Sequence, residues 1–202
     1  MTNTKDDILI ENLCKIVGHK HVITSEKRME RFCRGYRSGK GHALAVVRPG
    51  TLTEQWHALQ ACVIENKIII MQAANTGLTE GSTPSGHYDR EVIIISTNRM
   101  DQIQLINEGR QIISFPGATL FSLEKKLARI GRQAHSVIGS SCIGASITGG
   151  VCNSSGGSLI ERGPAYTELS LYAKVNSSGK LELINDLGIK LGNNPEEILT
   201  RL

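Results

Sequence analysis

Gln72-Ala-Ala-Asn-Thr-Gly-Leu-Thr-Glu-Gly-Ser-Thr-Pro84 follows directly on the apolar run Lys67-Ile-Ile-Ile-Met71. The run has the length and β-branched content of a short buried strand. It breaks into a loop of small, hydroxyl and glycine residues whose single charge is Glu80. Glycine permits positive φ and close backbone approach, so such a loop can aim several N–H groups at one anion. A second glycine- and serine-rich stretch, Val137 to Gly157, repeats that chemistry. Two separated cradles suggest a ligand with a long phosphate-bearing tail, and we read it as a dinucleotide.

Bulk composition narrows the function classes. The chain has 202 residues and an apolar content ordinary for a soluble globular protein. Aromatic residues are scarce and the single Trp56 falls in an expected helix, which disfavours stacking platforms for single-stranded nucleic acid. A net charge of +4 is mild and its basic residues are scattered, so no nucleic-acid partner is expected. No apolar run approaches the ~20 residues needed to span a bilayer, and the first residues do not resemble a signal peptide. The five cysteines, Cys14, Cys33, Cys62, Cys142 and Cys152, form no Cys-x-x-Cys pair and read as reduced thiols.

Along the chain, Thr4 is placed to cap a helix carrying Ile8, Leu9, Leu13, Ile16 and Val17, with Gly18 as its stop. Ser25 is placed to cap a second short helix, Glu26–Cys33. Strands are expected at 43–47, 67–72, 92–96 and 111–115. Thr51-x-x-Glu54 has the form of a capping box and opens a helix to about Glu65 between the first two strands. A helix from Thr119 to about Ile130 follows. Farther on, 169–175 and 180–184 flank Asn176-Ser-Ser-Gly179 as a hairpin. Asn194-Pro195 begins a terminal helix. The expected organisation is a helical lead-in (1–42), a first α/β subdomain (43–134) and a second (135–202), with a ligand in the crevice between the latter two.

Familiar phosphate and nucleophile motifs do not account for these loops. Gly-x-Gly-x-x-Gly turning into a helix is absent. Gly139-Ser-Ser-Cys-Ile-Gly144 and Gly144-Ala-Ser-Ile-Thr-Gly149 have P-loop glycine spacing, but Ala145 and Gly150 stand where lysine is required. Gly-x-Ser-x-Gly is absent, and Cys142 reads as a small buried residue rather than a nucleophile. His19 and His21 alternate as on one side of a strand; His42, His57, His87 and His135 are single, and no metal is expected.

Three strings also carry a resemblance: Met71 to Ser82, His135 to Ser146, and Gly149 to Leu159, supported by Arg37-Ser-Gly and Arg162-Gly-Pro-Ala-Tyr-Thr-Glu168. Together they resemble the FAD-binding half of the respiratory, quinone-dependent D-lactate dehydrogenases, within the vanillyl-alcohol oxidase and p-cresol methylhydroxylase superfamily of flavoproteins. The resemblance implies an α+β fold of two α/β subdomains, with FAD in the crevice between them. It places flavin contacts on Ala73, Ala74, Asn75, Thr76, Gly77, Gly81, Ser82, Gly139, Ser146 and Gly156. Some relatives attach flavin through a histidine in or beside the first loop. Here the loop has none, so non-covalent FAD is expected, with His87 just outside.

The resemblance further implies oxidation of D-lactate to pyruvate, electrons passing to quinone, and a peripheral position on the cytoplasmic side of the cell membrane. It implies a longer chain, whose additional part supplies the substrate-facing cap and the membrane-binding surface. Residues 1–202 are therefore expected to be an N-terminal fragment or truncated product, inactive alone, and no residue is matched to a catalytic role. The alternatives are another 2-hydroxy-acid or alcohol oxidoreductase of the superfamily, and a non-enzymatic nucleotide-binding module.

Overall fold

The computed structural model describes residues 4–135, 140–156, 163 and 167–202. Its central sheet contains β1 (Val22–Ile23), β2 (Ala45–Val47), β3 (Ile68–Gln72) and β4 (Val92–Ser96), in the spatial order β1-β2-β4-β3. β1 is antiparallel to β2, whereas β2, β4 and β3 are parallel, with Val46 and Ile70 both opposite Ile94. Every residue of β4 is buried, which explains its uninterrupted Val-Ile-Ile-Ile: a strand covered on both faces needs apolar side chains at both parities. Ile93 and Ile95 meet α1 (Lys5–Val17) and α3 (Leu52–Ile64) in a core with Leu9, Leu13 and Ala58. Ile94 faces the other way, into a core with Met29 and Phe32 of α2 (Glu26–Cys33).

Helix starts follow the expected chemistry with two differences. Thr4 Oγ1 accepts from Asp7 N while the Asp7 carboxylate accepts from Thr4 N at 3.0 Å, a complete reciprocal cap. At α3, Thr51 Oγ1 accepts from Glu54 N at 3.1 Å, but the Glu54 carboxylate reaches past Thr51 to Gly50 N at 2.6 Å. Ser25 precedes α2 without a side-chain cap bond.

Beyond the central sheet, β5 (Ile103–Ile106) and β6 (Gln111–Ser114) form a hairpin on which α4 (Leu120–Ala128) packs Leu123 and Leu127. α5 (Ile147–Cys152) lies inside the second glycine-rich stretch, where the sequence suggests only loop. β7 (Ser170–Val175) and β8 (Leu181–Asp186) make the expected hairpin around Asn176–Gly179. α6 (Pro195–Arg201) starts at Asn194, whose side chain accepts from Glu197 N at 3.0 Å.

The second half of the sequence also touches the first. Leu181 of β8 packs on the α1–α3 core, and His57 Nε2 of α3 lies 2.7 Å from Glu196 Oε1 of α6. Several element ends moved inward: the expected 43–47 strand is Ala45–Val47, and α4 stops at Ala128 rather than Ile130. His19 and His21 sit in a short 3₁₀ turn instead of a strand. Among the described residues no helix is long and apolar enough to cross a membrane.

Cys14, Cys33 and Cys62 are buried, while Cys152 and also Cys142, expected inside, are exposed, because Cys142 falls in a short 3₁₀ turn of the second glycine-rich stretch. Burial raises all three inner thiols above their ordinary range, Cys62 to about 12. Because the thiolate is the reactive form, a thiol reagent at about pH 8 should label Cys142 and Cys152 in the native chain. The other three should label only after unfolding, as read by peptide mass mapping.

Candidate functional site

Parallel pairing brings the carboxyl ends of β2, β3 and β4 to one edge of the sheet. Arg48 leaves β2 there, the loop from Ala73 leaves β3, and Thr97-Asn98 leaves β4. Open α/β sheets bind ligands at this edge, where strands hand over to loops. A cavity of about 230 Å³ lies here, lined by Arg31, Arg48, Gln72, Ala74, Asn75 and Asn98 among others. Ser96 Oγ, at the end of β4, is buried and has no hydrogen-bond partner among the described residues.

Two side-chain amides shape the loop after β3. Gln72 is only 2% exposed, and its Nε2 donates to Phe32 O at 2.9 Å and to Ser82 O at 2.7 Å. The first contact ties the loop to the end of α2, and the second draws its two ends together. Asn75 has φ 54°, a left-handed conformation that asparagine tolerates. Its Nδ2 donates to Arg34 O, and its Oδ1 accepts from Ser82 Oγ at 2.7 Å and Thr83 Oγ1 at 3.0 Å. The loop is thus closed on itself by its own side chains, as compact surface loops are.

Residues 35–41 brace it from outside. The hydroxyls of Ser38 and then Ser85 donate to the Glu80 carboxylate and hold it below the usual glutamate range. Gly41 runs so close to the Pro84 carbonyl that any Cβ there would collide with it. The loop's only charged side chain is therefore engaged by the brace.

Main-chain donors are left over. Among the described residues, no N–H from Ala74 to Ser82 donates to a protein acceptor. Amides in a partly buried loop need a partner, so this run is turned toward solvent or ligand. A Cβ at Gly77 or Gly81 would meet no backbone, and at Gly77 nothing at all within 4 Å.

The second glycine-rich stretch comes up against this loop. Gly144 has φ 95°, and a Cβ built on it would lie 3.8 Å from the Ala74 Cβ. The stretch is held there by a two-way exchange with the start of α4. Leu120 N donates to Ala145 O at 3.0 Å, and Ile147 N donates to Ala118 O at 2.9 Å.

The expected site residues fall into three groups. Ala73, Ala74, Asn75, Thr76, Gly77, Gly81 and Ser82 share the one loop. Ser146 is buried, and its hydroxyl accepts from Gly149 N at 3.0 Å as the cap of α5. Gly156 is exposed beyond α5, and Gly139 lies outside the described residues. Sequence reasoning missed Arg31, Arg48, Asn98 and the Gln72 latch. Arg48 and Asn98 were findable from their positions just after strand signals; Arg31 depends on how α2 lies over the sheet. Among the described residues no cluster of His, Cys, Asp and Glu could hold a metal.

Comparison with known proteins shows the family and the fold. The model of a family described as "FAD binding domain" matches residues 43–180. The chain is 57% identical over 203 residues to the quinone-dependent D-lactate dehydrogenase of Escherichia coli strain K12, covering 100% of this chain and 36% of that protein. It spans about a third of the length of the curated relatives it matches. Among solved structures, alkyldihydroxyacetonephosphate synthase superposes with a TM-score of 0.72 at 16% identity, over 91% of this chain and 36% of that one. Substrate-bound p-cresol methylhydroxylase superposes at 0.69 and 15% identity, over 95% and 38%. The fold is that of the p-cresol methylhydroxylase type.

Asn75→Ala removes three hydrogen bonds and leaves alanine in a left-handed conformation. It should lower stability by about 2–3 kcal/mol in urea unfolding. Asn75→Gly should recover roughly 1 kcal/mol of that by relieving the backbone.

Proposed function

The chain belongs to the FAD-binding domain family, and we propose that its loop from Ala73 to Ser82 holds the diphosphate of non-covalently bound FAD. The whole protein is then a respiratory D-lactate dehydrogenase that oxidises D-lactate to pyruvate and passes electrons to quinone. One observation carries the cofactor assignment: a run of main-chain N–H groups from Ala74 to Ser82 with no acceptor among the described residues, and Gly144 packed against Ala74. Such a run of donors suits an anion that must be gripped without a covalent bond. Substrate and acceptor rest on the name of the 57% identical relative.

The residues present fit the group. Gly77 leaves open space where a side chain would stand, and Gly81 meets only the Thr79 hydroxyl. Arg31 and Arg48 line the adjoining cavity and add positive potential. No histidine occurs from Ala73 through Ser82, and His87 is exposed beyond the brace, which supports non-covalent attachment. When bound, the flavin supplies the two-electron acceptor for oxidation of the substrate C–H bond. The chain's own part is to bind and orient. Gln72 and Asn75 fix the loop, and Gly144 closes it from the side.

On this reading residues 43–134 carry the first half of the cofactor site and 135–202 the second, with Gly139, Ser146 and Gly156 among its contacts. The partners are D-lactate, quinone and, through sequence beyond this chain, the cytoplasmic face of the membrane; nucleic acid is not among them. Catalytic residues are assigned to none of the positions present.

FAD titrated into the purified chain should show a saturable change in flavin fluorescence. Gly77→Ala should weaken that binding at least about tenfold, since the methyl enters ligand space, while leaving the melting temperature unchanged. A folded chain with no flavin response, or a Gly77→Ala variant that binds like the parent, would overturn the cradle. Pyruvate formation from D-lactate with a soluble quinone, by protein of the relatives' full length, tests the activity.

A further inference from the structure

Lys27, Arg28, Arg31 and Arg34 recur along α2 and its C-cap at spacings that keep them on one stripe of a helix. With Arg48 from just past β2, they line a cleft of about 660 Å³, whose only carboxylate among the described residues is Glu30. None of the five cations has a salt-bridge partner among the described residues. Arg31 instead lies over the Phe32 ring, 4.7 Å from its centre. Arg48 is half-buried, and its guanidinium is held below the usual arginine value by burial first, then by Arg31, Arg99 and Arg28. Like charges gathered round a partly desolvated cation are unfavourable until an anion joins them.

We propose that this cleft binds a phosphate-bearing anion distinct from the flavin diphosphate. The cleft is separate from the cradle in its donors, which are side-chain cations rather than main-chain amides. It nevertheless abuts the cradle, because Arg31 and Arg48 line both cavities. Its volume is nearly three times that of the cavity beside the loop, room for a phosphate together with the polar group it esterifies. Guanidinium forks suit phosphate oxygens in pairs. The ligand's source is either a soluble phosphate ester or the headgroup of an acidic phospholipid, and both present the same chemistry.

The test uses the purified chain and a Lys27→Gln/Arg28→Gln double variant. Both residues are exposed and line only the outer cleft, so the core and the cradle are untouched. With the loop first saturated by FAD, so that only the outer cleft is open to it, pyrophosphate should raise the melting temperature of the parent more than sodium chloride at matched ionic strength. The double variant should bind it at least about fivefold more weakly, with its FAD titration unchanged. Sedimentation with phosphatidylglycerol vesicles, lost in the variant and competed by pyrophosphate, would assign the source to a lipid headgroup. A pyrophosphate response without vesicle binding would assign it to a soluble ester. Equal responses to pyrophosphate and chloride, or binding that survives in the double variant, would overturn the proposal. A chain that fails to bind FAD but keeps a cleft-dependent pyrophosphate response would sink the cradle alone.

Discussion

Gln72 ends β3 in register with Ser96 and sends its carboxamide, almost wholly buried, to the carbonyls of Phe32 and Ser82. Those two bonds join the last strand residue to the end of α2 and to the far end of the loop. A buried amide left without its acceptors costs about 1–3 kcal/mol, so the geometry is enforced from both sides. The position of Asn75, the brace at residues 35–41 and the approach of Gly144 all presuppose a loop already cinched at its base. The free N–H groups between Ala74 and Ser82 are its product, since a loop held by side chains need not use its main chain for support.

Much of this was legible in the sequence because the signals are local. Thr4, Thr51 and Asn194 announce helices by short-range capping, and Val92–Ile95 announces a strand by its unbroken apolar run. The first loop was readable for the same reason: glycine, asparagine and hydroxyl residues follow a strand directly. What could not be read depends on distant partners. Gln72 meets Phe32 across 40 residues. α5 contains Gly149 and Gly150, each about 1 kcal/mol worse than alanine in a helix. Its helical form is secured by the Ser146 cap and by docking on Ala118 and Leu120. β1 has two residues and exists only as the antiparallel edge of β2.

Two kinds of anion chemistry lie side by side at the carboxyl edge of the sheet. The loop offers neutral amides fixed by the fold, which discriminate by shape and are little affected by salt. The α2 stripe offers full charges on long, exposed side chains, whose attraction reaches farther but is screened within about 10 Å at ordinary ionic strength. Arg31 and Arg48 belong to both surfaces. On the two proposals, any coupling between the anions runs through these two shared arginines and not through Lys27 and Arg28, which line the outer cleft alone.

The spatial order β1-β2-β4-β3 carries a consequence for how the nascent chain acquires its form. β3 and its loop leave the ribosome before β4, yet β4 must wedge between β2 and β3 to complete the ladder. Until residue 96 is synthesised, two strand edges stand unpaired, and the latch at Gln72 hangs from a strand with no neighbour. Insertion of β4 is thus a late, non-local event that slows assembly. The exposed interval is one in which a chaperone has hydrophobic isoleucines to grip.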